Sequence, residues 1–201
     1  AILLSKKNSG IFPEDILFRE KFLQRDMYKF RSVKYLLEEL ENFGNKEKVL
    51  TQDLSIEHIM PQKLNSSWKI ELGNDWQEVH GLYIHNIGNL TLSGYNGELS
   101  NKNFKEKKKI LQESKLKLNS YFDNLNSWKK RFIESRAESL YKIAEKIWEF
   151  PEFSNEYLEN MLDKGRDFYT LEDEINVTGE IPIAIKLIEK KINIKSWRDM
   201  W

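Results

Sequence analysis

Apolar residues recur every three to four positions in several parts of the chain, and this spacing predicts amphipathic helices. The first helical region covers residues 14–43 and closes at Gly44, a residue type common just after helix ends. Residues 128–150 predict one long helix that ends before a proline. Between them we expect a lysine-rich helix from about residue 101 to 115, with Ser100 as its N-cap.

Two stretches are typical of strands instead. Residues 49–59 alternate loosely and predict a first strand, and residues 84–92 predict a second one. The tryptophan-bearing segment 63–83 between them predicts loop and short helix, and Gly94 and Gly97 predict a turn after the second strand. The middle of the chain is therefore expected to run strand, long loop, strand, turn and helix. With helices on both sides, the predicted fold class is α+β and mostly helical.

Composition limits the class of protein. The chain has 201 residues, enough for one large or two small domains, and 40% of them are hydrophobic, which is typical of globular proteins. Its 32 Lys and Arg balance 32 Asp and Glu, so a nucleic-acid surface would need a local basic patch. The absence of cysteine excludes disulfides, thiolate metal sites and cysteine nucleophiles.

No signal peptide and no apolar run long enough to span a bilayer is visible, so we expect a cytoplasmic protein without a membrane partner. The chain starts in the apolar run Ala1–Leu4 and ends on Trp201. We therefore expect it to be part of a longer protein.

The candidate chemistry lies in the middle of the chain. Glu57 and His58 stand side by side near the end of the first predicted strand, and Asn89, Asn96 and Asn101 follow at the second strand, the turn and the helix start. Phosphodiester hydrolysis at neutral pH needs a base for water and a hard cation for the phosphate charge. Histidine suits the first task, because its ordinary pKa lies near neutrality, and carboxylate and amide oxygens suit Mg²⁺ or Mn²⁺.

Two separated motifs resemble a known family. IEHIMPQ at 56–62 and YIHNIGNLTLSGYNGELSNKNFKEKK at 83–108 closely resemble the HNH endonuclease domain DUF1524. That domain forms the C-terminal half of GmrSD-type modification-dependent restriction enzymes. Further similarity in LKLN, ESRAESL and IWEFP extends the resemblance over roughly residues 48–151.

The resemblance implies a ββα-metal (HNH, or His-Me finger) nuclease core embedded in helices. It implies three parts: a helical connector over 1–47, the nuclease over 48–151, and a mainly helical extension of unknown role over 152–201. It also implies double-stranded DNA as substrate and an N-terminal, nucleotide-hydrolysing DUF262-like domain as partner. The expected setting is defence against phage in bacteria or archaea.

The resemblance assigns roles residue by residue. His58 takes the place of the general base, and Glu57 that of the acidic ligand to one Mg²⁺ or Mn²⁺. Asn89 takes the place of the middle asparagine that orients the histidine, and Asn96 is the predicted second ligand. Residues expected to support these groups or to contact phosphate are His85, Asn101, Lys102 and Lys105.

Strand geometry sets a condition on the metal prediction. Successive side chains of a regular strand face opposite sides of the sheet. Glu57 and His58 therefore reach one ion only if the strand ends or bulges there. If the strand is regular, Glu57 is structural and the ligand comes from elsewhere.

Each candidate has a structural alternative: His85 fits a packing residue, and Asn89 fits a strand-end residue that bonds the backbone of its neighbours. His58 lies between apolar residues and fits a core histidine, and Asn96 before Gly97 fits an ordinary turn. A lysine run on a helix is usually a solvated face, although phosphate contact is the alternative here; the run comprises Lys102, Lys105, Lys107, Lys108, Lys109, Lys115 and Lys117.

At the level of the whole protein, one alternative is a catalytically silent HNH-like module that binds DNA or a protein. Another is that residues 152–201, with a rhythm similar to a helix-turn-helix, form a separate recognition element.

Overall fold

The computed structural model describes residues 13–150. Predictions that fall on residues 1–12 and 151–201, including the helix-turn-helix-like tail, lie outside the described residues. In chain order the elements are α1 (Asp15–Gln24), α2 (Val33–Asn42), β1 (Ser55–His58), α3 (Ser66–Leu72), α4 (Trp76–Tyr83), a 3₁₀ turn (Ile87–Asn89), β2 (Leu90–Ser93), α5 (Asn96–Leu99), α6 (Phe104–Leu111), α7 (Lys117–Ser120) and α8 (Lys130–Ile147).

Helices dominate this part of the chain, and its sheet has two antiparallel strands, which confirms the α+β, mostly helical class. The helical predictions for residues 14–43 and 128–150 are confirmed by α1, α2 and α8. Gly44 follows α2 with a φ of +73°, the left-handed conformation that glycine adopts most readily. Within residues 13–150, every helix is too short or too polar to span a bilayer.

Strands β1 and β2 pair one residue to one residue, from Ser55 opposite Ser93 to His58 opposite Leu90. The register contains no bulge. The prediction of a second strand over residues 84–92 is wrong for residues 84–89. Ile84 still has helical backbone angles, and Asn86 accepts a hydrogen bond from the Gly88 amide at the start of the 3₁₀ turn.

The start of α6 also differs from the prediction. Ser100 ends α5 with a φ of 40°, and Asn103 caps α6 in its place. Asn103 accepts from the Glu106 backbone amide, and the Glu106 carboxylate accepts from the Asn103 amide. This reciprocal capping box requires a glutamate three residues after the cap, which Asn103 has and Ser100 lacks.

Helix α8 packs against the 3₁₀ turn so closely that the turn requires glycine. A Cβ atom at Gly88 would lie 2.1 Å from the backbone oxygen of Ile133. On the same face of α8, Arg136 is fully buried and donates to the carbonyls of Gly88 and Leu90 at 2.8 and 2.6 Å. Burial lowers the pKa of Arg136 to about 9. Helix α8 thus fixes the turn that leads into β2.

A buried aromatic core lies next to the segment that follows β1. The Trp128 ring stacks on Phe104 with centroids 5.8 Å apart and meets Phe122 edge-on at 5.1 Å. Trp68 and Met60 complete this part of the core.

Helices α1 and α2 pack against α8, and residues 15–149 form one compact unit. The predicted division of the chain between residues 47 and 48 stays a prediction.

Candidate active site

His58 lies at the last position of β1, and its side chain is buried with 5% of the residue surface exposed. Its Nε2 atom is 3.1 Å from Nδ1 of His85, which lies between α4 and the 3₁₀ turn. Tyr28, in the connection between α1 and α2, stacks on the His85 ring with centroids 5.2 Å apart. The same tyrosine meets the His58 ring edge-on at 4.6 Å. Three distant parts of the sequence therefore meet at His58.

The environment of His58 favours the neutral imidazole. Burial lowers its pKa to about 4, and the electrostatic interactions with His85 and Lys107 act in the same direction. A neutral ring has one nitrogen with a free lone pair, which can accept a proton. At pH 7 His58 is therefore in the protonation state that a general base needs.

Asn89 fixes the segment that follows His58. Its Oδ1 accepts from the Met60 amide at 2.8 Å and from Trp128 Nε1 at 2.9 Å. Its Nδ2 donates to the carbonyls of Met60 at 3.0 Å and Ile84 at 2.9 Å. The side chain is fully buried, so these four bonds connect the end of β1 to the 3₁₀ turn and the aromatic core.

Glu57 lies in a different environment. Its Oε1 accepts from Lys107 Nζ at 2.5 Å, and the same ammonium donates to the His58 carbonyl at 2.7 Å. Both side chains are buried. Burial raises the pKa of Glu57 and lowers that of Lys107, while each charge counteracts the effect on its partner.

Strand β1 is regular across Glu57 and His58, so these two side chains project to opposite faces. The bulge that would turn both toward one ion does not occur within β1, although the strand ends at His58.

Asn96, at the first position of α5, has one satisfied and one unsatisfied polar atom. Its Nδ2 donates to the Ile56 carbonyl at 3.0 Å, which places the side chain beside β1. Its Oδ1 is buried, and within residues 13–150 no hydrogen-bond partner contacts it. A buried amide oxygen without a donor costs free energy unless a cation or water binds to it.

The two predicted metal ligands therefore differ in how well they fit an ion. The Asn96 oxygen is available, and it is the hard donor that Mg²⁺ and Mn²⁺ prefer. The Glu57 carboxylate also has the right chemistry, but a bound ion would share it with Lys107. Across residues 13–150 no group of three or more His, Asp or Glu side chains is arranged to bind a metal.

The remaining predicted residues lie in two places. His85 contacts His58 directly. The structure fixes Asn101 and Lys102 through their backbone carbonyls, which accept from Asn65 Nδ2 at 2.8 Å and Trp68 Nε1 at 2.9 Å. The side chains of Asn101, Lys102 and Lys105 are exposed.

Sequence reasoning missed Lys107, which it placed in a basic run on the surface. Lys107 follows Phe104 by three positions and precedes Leu111 by four, so helical periodicity puts it on the buried face of α6. That spacing could have identified it. No local signal singles out Tyr28, because only the tertiary fold brings it to the histidines.

Comparison with known proteins identifies the family. A family model described as the C-terminal domain of GmrSD restriction endonucleases matches residues 12–143. Neither the curated proteins nor the solved structures contain a match. The matched residues include every element from α1 to α7 and most of α8, with the whole site around His58. The chain therefore belongs to the family of GmrSD restriction endonuclease C-terminal domains.

Proposed function

We propose that this chain is an HNH-type endonuclease domain that hydrolyses phosphodiester bonds of double-stranded DNA, with His58 as general base and one Mg²⁺ or Mn²⁺. Membership of a restriction endonuclease family supports a nuclease role. The observation that carries the proposal is the position of His58: a buried imidazole at the end of β1 that contacts His85 and precedes a segment fixed by Asn89. The order β1, β2 and helix is also the order that a ββα-metal core requires.

In this mechanism His58 accepts a proton from a water molecule, and the water oxygen attacks the phosphorus atom. The new phosphorus–oxygen bond forms as the bond to the leaving 3′ oxygen breaks, and that oxygen takes a proton from solvent. Asn89 orients His58 through Met60. When bound, the divalent ion would supply positive charge to the phosphate and the leaving oxygen. Asn96 would bind it through its unsatisfied Oδ1 atom, and Glu57 would join only if the end of β1 at His58 turns its carboxylate away from Lys107.

The DNA backbone would pass the exposed side chains of Lys102 and Lys105, near the start of α6. Such contacts neutralise phosphates without recognising bases, so the domain itself would have little sequence preference. Specificity for modified DNA, as in type IV restriction, would then come from an N-terminal nucleotide-hydrolysing domain.

Two features of the site favour a second function, a silent module that binds DNA or protein. His58 is almost completely covered, and Glu57 already has a cationic partner. Both side chains would then serve only the fold.

Cleavage of a supercoiled plasmid separates the two functions. The protein is incubated with Mg²⁺, with Mn²⁺ and with EDTA, while a gel shift on the same DNA records binding. Nicked or linear DNA that forms with a divalent ion and not with EDTA supports the nuclease. DNA binding without cleavage in either metal contradicts it and supports the silent module. Preparations of Asn96→Ala, purified identically, control for a contaminating nuclease.

A further inference from the structure

We propose that His85 is a positioning residue: it fixes His58 in the tautomer that has its hydrogen on Nε2, so that Nδ1 is the atom that accepts the proton from water. The inference rests on the proposed nuclease function. It adds which nitrogen of His58 is the base and which residue orients that nitrogen. A neutral imidazole has one donor and one acceptor nitrogen, so its partners decide which is which.

The partners of the two ring nitrogens of His58 favour one tautomer. Nδ1 of His58 faces the side-chain amide nitrogen of Gln62 at 3.5 Å, and an amide nitrogen is only a donor. This contact favours the tautomer with the lone pair on Nδ1 and the hydrogen of the neutral ring on Nε2. In that tautomer the hydrogen points to Nδ1 of His85 at 3.1 Å, and His85 acts as the acceptor.

The two sides of the His58 ring differ in how firmly their partners are fixed. The His85 ring is nearly parallel to Tyr28, with an interplanar angle of 11°. Its backbone carbonyl accepts from the Met27 amide at 2.9 Å, and the next residue, Asn86, donates to the Leu23 carbonyl at 2.6 Å. Two segments therefore fix the acceptor for Nε2.

On the other side of the ring, Gln62 is exposed, and its 3.5 Å contact is at the limit for a hydrogen bond. A water molecule can displace the weakly bound Gln62 amide from Nδ1. His85 is fixed by two segments and stays at Nε2. The geometry therefore assigns Nδ1 to water and Nε2 to His85.

A matched pair of substitutions tests the role of the acceptor. In His85→Asn, the amide oxygen stands near the former Nδ1 position and can still accept from His58. In His85→Leu, the volume remains but the acceptor is lost. We expect kcat on a DNA duplex to fall about 10- to 100-fold in His85→Leu with KM little changed, as for other hydrogen-bond partners of functional histidines. His85→Asn should recover most of kcat.

Histidine ring ¹⁵N spectra give a readout that does not depend on cleavage. The chain has three histidines, so few signals need assignment. At pH 8 and without metal, we expect the His58 hydrogen on Nε2 in the wild type and in His85→Asn, and a mixture of tautomers in His85→Leu. If His85→Leu does not fold, the smaller His85→Ala, which also removes the acceptor, takes its place in both measurements.

Two results would overturn the inference: a wild-type His58 with its hydrogen on Nδ1, or a His85→Leu variant with unchanged tautomer and unchanged kcat. A wild type that binds DNA but never cleaves would refute the proposed function instead. The spectra would then still show whether His85 fixes the tautomer.

Discussion

The two faces of strand β1 differ in the charge of their buried side chains, although the residues that define the faces are neighbours in sequence. On one face, Glu57 and Lys107 form a buried ion pair. On the other, His58 contacts His85 and Tyr28, and burial lowers its pKa to about 4, so the ring is neutral at pH 7. One face thus contains a compensated charge pair, and the other an uncharged base.

The strand is what separates these environments. Alternation along a regular strand directs Glu57 and His58 to opposite sides, and each side chain finds partners that suit its charge. The faces remain connected through the backbone, because Lys107 also donates to the His58 carbonyl. The ion pair can therefore support the position of His58 without contacting its ring.

The substitution with the largest expected effect unfolds the domain and so disrupts both faces of β1. Gly88→Ala places a Cβ atom 2.1 Å from the Ile133 backbone oxygen, and neither backbone can move without separating α8 from the 3₁₀ turn. We expect a loss of more than about 5 kcal/mol in the free energy of unfolding, comparable with the whole stability of a domain. Circular dichroism should show no cooperative unfolding transition. Gly97→Ala is the control, because a Cβ there meets no atom within 4 Å.

Lys107→Met disrupts only the face of β1 that contains Glu57. It leaves a buried carboxylate without its cation, a defect that costs about 3–5 kcal/mol. Urea unfolding should show this loss, and the double variant Glu57→Gln with Lys107→Met should recover most of it, because no charge then remains. A double variant as unstable as the single one would show that the ion pair is not the cause.

The His58 face should respond to pH instead. The pKa of His58 is about 4 in the folded protein and near 6.5 in the unfolded chain, so as pH falls the unfolded chain binds this proton first. The contribution of His58 to the free energy of unfolding is fully present above pH 6.5 and is lost toward pH 4. It amounts to about 3 kcal/mol in total.

We expect the wild type to lose about that much more stability than His58→Gln between pH 7 and pH 4, measured by urea unfolding in EDTA. Parallel pH profiles for the two proteins would mean that His58 is not buried in the neutral form.

The smallest effect concerns the ion. Mg²⁺ or Mn²⁺ at 10–100 times its dissociation constant should stabilise the wild type by about 1–3 kcal/mol. Thermal unfolding should show this shift, and Asn96→Ala should lose it because the unsatisfied Oδ1 atom is removed. Asn126→Ala, at an exposed asparagine, should keep it. If Asn96→Ala shifts as much as the wild type, Asn96 is not a ligand.

The elements predicted most accurately from the sequence are the helices whose apolar residues recur with local periodicity. Helices α2 and α8 repeat buried residues every three to four positions, as at Leu36, Leu37 and Leu40, so the pattern sufficed. The boundaries of β2 and α6 were wrong because polar side chains, those of Asn86 and Asn103, set them through bonds that periodicity does not report.

The site was predictable in part for a related reason. The motif placed Glu57, His58, Asn89 and Asn96 in one region, but which of them touch depends on partners distant in sequence. Lys107 lies 50 positions from Glu57, and the pairing of His58 with His85 spans 27. Both contacts form because the tertiary fold brings α6 and the segment after α4 to β1, and neither follows from the residues beside the motif.

The general-base role of His58 is tested by the cleavage rate of His58→Ala beside the wild type, with saturating DNA and Mn²⁺ and with thermal unfolding of both proteins recorded. We predict a cooperative unfolding transition in both and a loss of cleavage of about 10²- to 10⁴-fold in the variant, the contribution of a general base. A folded variant that cleaves as fast as the wild type would show that the neutral face of β1 is not the catalytic one.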